Sequence, residues 1–177
     1  MPMDLKILSL AKNRLEKYLK EKDILDIIVF GSSVKGKASP EDIDIAVISD
    51  KEISLSIQDF HVSILKPRDF FVNPPAIINT LLREGYSLKN NKPFSEIYKF
   101  SSKCLFSYSL SGANPSLKVK IVNILRGKNG SSGLVNENGG EWLANQVFLV
   151  QVGKENIFEK IFLNFKIKFK KSYILIH

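Results

Sequence analysis

Two aspartates, Asp42 and Asp44, stand two residues apart at the front of the apolar run 43–48. Alternate residues of a strand face the same side. The two carboxylates therefore project together, within reach of one divalent cation or a close pair of them. Core packing does not ask for two acids on one face of an apolar strand, because unpaired buried charge is costly; metal binding does. An earlier apolar run, 24–30, stops abruptly at Gly31-Ser32, and a turn-rich segment joins the two runs.

That segment, Gly31-Ser32-Ser33-Val34-Lys35-Gly36-Lys37-Ala38, comes close to the phosphate-binding pattern GxxxxGK followed by Ser or Thr. Ala38 replaces the hydroxyl that would ligate magnesium. Ser39-Pro40 then leads into a strand instead of the long helix that pattern requires. A different arrangement accounts for more residues: strand, Gly31-Ser32, Gly36, Pro40, then Asp42-Ile43-Asp44-Ile45. This resembles the DNA polymerase beta-like nucleotidyltransferase superfamily, closest to its small minimal members, over about residues 5–85.

The resemblance implies that Gly31 and Ser32 hold the β- and γ-phosphates of a nucleoside triphosphate through backbone N–H groups at a helix N-terminus. It implies that Asp42 and Asp44 ligate Mg²⁺ (or Mn²⁺), and that a hydroxyl attacks the α-phosphorus in line. Lys35, with Lys37, either adds positive charge beside the phosphates or is a solvated loop lysine. The superfamily carries a third carboxylate on a neighbouring strand. Asp59 and His61, read as one face of a strand over 59–65, are the two candidates. A hard oxygen ligand suits Mg²⁺ better than imidazole does, which favours Asp59. His61 falls at the acidic position counted back from Leu65-Lys66-Pro67 and is the possible replacement.

The elements that must position these residues follow from patterning. A helix is expected from Asp4 to about Lys20, with Leu5, Leu8, Leu15, Tyr18 and Leu19 as its apolar stripe. Strands are expected over 24–30, 43–48 and 59–65, with 53–57 ambiguous. Helices are expected over 76–84, 94–108, 116–126 and 141–145, and a turn over 90–93. The glycine-rich stretch 127–140 reads as a loop or long hairpin. Strands are expected over 147–152 and from Phe165, where Phe165, Ile167 and Phe169 alternate with Lys166, Lys168 and Lys170.

The chain has 177 residues and a net charge of +8. The charge is uneven: residues 1–66 carry 10 Lys and Arg against 11 Asp and Glu, and residues 67–177 carry 16 against 7. The basic remainder suits a polyanionic partner such as RNA or DNA, with Lys166, Lys168 and Lys170 as contacts. A lysine-guarded edge strand explains the same pattern. No apolar run reaches the length of a membrane helix. The opening Met1-Pro2-Met3-Asp4 lacks a basic and then apolar leader, and a single cysteine excludes an internal disulfide framework. A cytoplasmic protein is expected.

The expected fold is α/β (α+β): a polymerase-beta-like nucleotidyltransferase core with a small mixed sheet and flanking helices over 1–85, then a basic α+β portion over 86–177. The expected function is Mg-dependent transfer of a nucleotidyl group from a nucleoside triphosphate, such as ATP, to a hydroxyl on an RNA end, a protein or a small molecule. The alternative is a nucleotidyltransferase-fold protein without the chemistry, binding nucleic acid or regulating a partner protein in the manner of an antitoxin.

Overall fold

The computed structural model describes residues 5–31, 43–128 and 130–177. Ser32, Lys35 and Asp42 lie outside the described residues. The chain divides into two compact units, the first running through Ser101 and the second comprising Ser102–Ile176.

The first unit opens with helix α1 (Leu5–Leu19), whose Leu8, Ala11 and Leu15 are buried. Strands β1 (Ile24–Phe30), β2 (Ile43–Ser49) and β3 (Phe60–Leu65) follow, then a 3₁₀ helix over Pro67–Phe70 and α2 (Ile77–Glu84). The hairpin strands β4 (Tyr86–Ser87) and β5 (Lys92–Pro93) and the single turn α3 (Phe94–Ile97) complete it. The sheet order is β3-β2-β1-β4-β5. β2 runs antiparallel to β1 and parallel to β3, so the sheet is mixed. Alternation along β1 and β2 makes two cores. Ile27, Val29, Ile43, Ile45 and Val47 pack with α1, while Ile28, Phe30, Ala46 and Ile48 pack with Leu81 of α2 and Phe94 of α3. An irregularity between Ile24 and Asp26 shifts the register. It brings Ile24 to the α1 side with Ile27 and leaves Asp26 on the other side with Ile28. β4, β5 and α3 extend this unit past residue 85.

The second unit contains β6 (Ser101–Ser109) from its second residue on, α4 (Pro115–Arg126), α5 (Leu134–Glu137), β7 (Glu141–Ala144), β8 (Val147–Gln151), α6 (Glu155–Asn164) and β9 (Lys168–Ile176), with sheet order β7-β8-β6-β9. Its core is aromatic: Phe106 stacks on Phe148 at 5.3 Å between centroids, and Phe158 and Phe162 close round them. Trp142 packs on Phe148, and the Arg126 guanidinium lies 3.7 Å over its ring centroid. Asn114 caps α4, its side chain accepting from Leu117 N–H at 2.8 Å. Gly127 ends α4 at φ +91, and a Cβ there would lie 2.0 Å from Ser131 O, so no side chain fits this turn.

Four expectations are corrected. The expected helix over 94–108 is one turn followed by β6, because Cys104, Phe106 and Tyr108 are buried at a spacing of two. Residues 141–144 form the edge strand β7, not a helix. The terminal strand starts at Lys168, after the unexpected α6; Lys166 lies in the intervening turn at φ +52. The third strand starts at Phe60, because Asp59 adopts φ +66.

Cys104 is fully buried, and burial first, then the Glu155 charge, pushes its thiol up to about 12. The folded thiol thus binds its proton more tightly than the ordinary value of 9.0. The stability linked to this group is complete below about pH 9 and is lost as pH rises toward 12. Burial raises Tyr108 and Tyr173 in the same direction. Two outcomes are expected. Iodoacetamide at pH 8 should leave the native thiol unlabelled and label it in urea. The fall of the urea midpoint between pH 9 and 11 should be smaller in Cys104→Ala.

Candidate active site

The end of β1 and the start of β2 form one corner. Phe30 pairs with Asp44, and Asp44 pairs across β2–β3 with His61. The three neighbouring strands therefore present Gly31, Asp44 and His61 side by side. Gly31 stands at φ +81, and a Cβ there would lie 2.3 Å from Asp44 Oδ2. Only glycine leaves the Asp44 carboxylate room against the turn. Asp44 Oδ1 lies 3.2 Å from His61 Nδ1, and the His61 side chain is 72% exposed, so the corner opens to solvent. Asp44 shares its strand face with Ala46 and Ile48, the side covered by α2.

Asp59 goes elsewhere. Its positive φ breaks the alternation that would have placed it with His61. Its carboxylate is ion-paired to Arg14 of α1, on the opposite side of the sheet from Asp44. Its backbone carbonyl accepts from Ile43 N–H at 3.0 Å, closing the end of the β2–β3 ladder. The β3 side chain brought beside Asp44 is thus the imidazole. The Arg14–Asp59 pair is about half exposed on both sides, and such pairs contribute about 0.2–1 kcal/mol. Arg14→Ala is therefore expected to shift the urea midpoint only slightly, a measurement that reads the worth of this pair.

Among the described residues, no group of three or more His, Cys, Asp or Glu converges as a metal cluster. The donors present fit one hard cation: Asp44 offers carboxylate oxygens at the corner Gly31 leaves open, and the sequence supplies Asp42 two residues earlier. His61 contributes nitrogen, not the oxygen a second Mg²⁺ would want.

Lys168 and Lys170 are exposed on β9 and Lys166 in the turn before it, all in the second unit. That unit carries 11 Lys and Arg against 4 Asp and Glu over 102–176. Sequence reasoning missed Arg14 as the partner of Asp59. It also passed over Asp26, although an acid inside Ile24-Leu25-Asp26-Ile27-Ile28 was a visible signal.

A glycine turn after β1, an aspartate on the adjoining antiparallel β2 and a parallel β3 beside it define a nucleotidyltransferase-type α+β core. Residues 13–66 match the family described as Polymerase beta, Nucleotidyltransferase, which places this segment in the polymerase beta-like nucleotidyltransferase superfamily. The matched stretch runs from the second half of α1 through β3. No curated protein and no solved structure matches the chain. No helix among the described residues is long and apolar enough to cross a membrane.

Proposed function

We propose that the first unit transfers a nucleotidyl group from a nucleoside triphosphate to a hydroxyl acceptor. The observation that carries this is the Asp44 carboxylate lying against side-chain-free Gly31 at the end of β1. Asp44 and Asp42 would hold Mg²⁺ (or Mn²⁺), which when bound neutralises the triphosphate and polarises the α-phosphorus. Gly31 and Ser32 would hold the phosphates through backbone N–H groups, and Lys35, four residues after Gly31 in the sequence, would add positive charge. His61, beside Asp44, holds that carboxylate in place through Nδ1. The acceptor is an RNA end, a protein or a small molecule.

A second reading has one specific observation behind it. Asp59, the candidate third carboxylate, is committed to Arg14 on the far side of the sheet. On this reading the fold binds a nucleotide or a partner without transfer, and the basic second unit retains nucleic acid. Label transfer from the four α-³²P nucleoside triphosphates, with Mg²⁺ or Mn²⁺ and with total RNA or cell protein as acceptor, separates the two. Transfer by the wild-type chain supports the enzyme and identifies the acceptor. Triphosphate binding without transfer supports the second reading.

A further inference from the structure

A cavity lies at the far end of β1 from Gly31. Asp26 lies in β1 and Gly31 directly follows its end, five residues on, about 17 Å at strand rise, so this cavity is separate from the Asp44 corner. Its volume is about 240 Å³, below the roughly 300 Å³ at which drug-sized sites begin. Phe70, Phe71, Phe94 and Tyr98 line it together with Asp26 and Asn90. Phe94 meets Phe70 at 6.0 Å and Tyr98 edge-on at 5.4 Å, so the rings form an angled wall.

Asp26 is 5% exposed and occupies a position whose strand neighbours on the same side, Ile28 and Phe30, are core. Its carboxylate accepts from Ile27 N–H at 2.8 Å, Ser87 Oγ at 2.7 Å, Asn90 Nδ2 at 3.2 Å and Lys89 N–H at 3.4 Å. These bonds fasten the β4–β5 turn. Every one of these donors is neutral, and among the described residues no ammonium or guanidinium forms an ion pair with the carboxylate. The Lys89 ammonium is engaged by the carbonyls of Glu21 and Ile24. Burial first, and then Asp26, raises the Tyr98 phenol above its ordinary range, so the field of the carboxylate reaches the aromatic wall.

A buried carboxylate with no ion-pair partner, beside a wall of aromatic rings, is complementary to one class of ligand, a compact cation with an apolar skin. We infer that this cavity is a binding site for a small organic cation, an alkylated ammonium or a guanidinium, unrelated to the triphosphate corner. The ligand's charge faces Asp26, and its carbon atoms lie against Phe70, Phe94 and Tyr98. Phe71, 81% accessible, lines the cavity as well.

Titration calorimetry of the full chain with choline, with agmatine and with 3,3-dimethylbutanol, the neutral isostere of choline, tests this. At least one cation is expected to saturate one site in the millimolar range or tighter, with the neutral isostere about tenfold weaker or worse. Asp26→Asn, which removes the charge at nearly constant volume but turns one acceptor oxygen into a donor, should weaken the cation about tenfold. Tyr98→Leu, at a position 42% exposed, should weaken it about fivefold. Failure of both cations to saturate by about 10 mM would overturn the inference. So would equal binding of the isostere, or cation binding indifferent to both substitutions. Should Asp26→Asn not fold, the isostere comparison and Tyr98→Leu decide the matter alone.

Discussion

Asp44→Ala is expected to lower nucleotidyl transfer roughly a thousandfold, about 4 kcal/mol of transition-state stabilisation, while leaving the first unit folded. The two effects separate because of where the carboxylate sits. It is part of the strand face beside Gly31 and His61, and its side chain is 30% exposed, so its loss opens no cavity in either core. What is lost is the described oxygen donor that fits a hard cation at this corner, together with the negative charge that places it. Asp44→Asn keeps the volume and loses the charge, and should fall as far. Single-turnover transfer of α-³²P label and thermal unfolding on the same preparations check the pair of claims. Transfer surviving in both variants would remove Asp44 from the chemistry; collapse of the fold in both would make it a structural residue.

Gly31→Val should abolish detectable transfer and also destabilise the unit, a different signature from that of Asp44. Two costs add. A Cβ at this position would lie 2.3 Å from Asp44 Oδ2, so the carboxylate must leave the corner. The backbone stands at φ +81, where a β-branched residue is strained by about 1–3 kcal/mol. Gly31→Ala meets the same contact with less strain, and its urea midpoint should fall between those of wild type and Gly31→Val. The transfer assay and urea unfolding read the two costs separately. A valine variant with wild-type transfer would show that the Asp44 carboxylate does no work at its position against the turn.

Much of this architecture was legible in the chain. Of the stripe Leu5, Leu8, Leu15, Tyr18 and Leu19, Leu8 and Leu15 are buried in α1 while Leu5 is exposed, and the runs 24–30 and 43–48 announce β1 and β2. The places of Gly31 just past β1 and of Asp44 on β2 were legible with those runs. The second unit was harder. Phe94 and Ile97 suit a helix, and nothing local says that the chain extends before Cys104, Phe106 and Tyr108 begin to alternate. β7 is too short, with only Trp142 partly buried, to show its period. At the site, strand alternation assigned Asp59 and His61 one face. A single left-handed residue overrides that parity and sends the Asp59 carboxylate to Arg14. Such a backbone choice is settled by what the side chain finds across the sheet, which composition does not record.

The chain contains one tryptophan and one cysteine, and both fall in the second unit, Trp142 beneath Arg126 and Cys104 in the aromatic core. Indole emission and thiol accessibility therefore report on residues 102–176 alone. A denaturation curve followed by either probe is blind to the unit that carries Asp44. Circular dichroism weighs both units, so a divergence between the optical and dichroic curves would measure directly whether the two units melt as one cooperative body or in sequence.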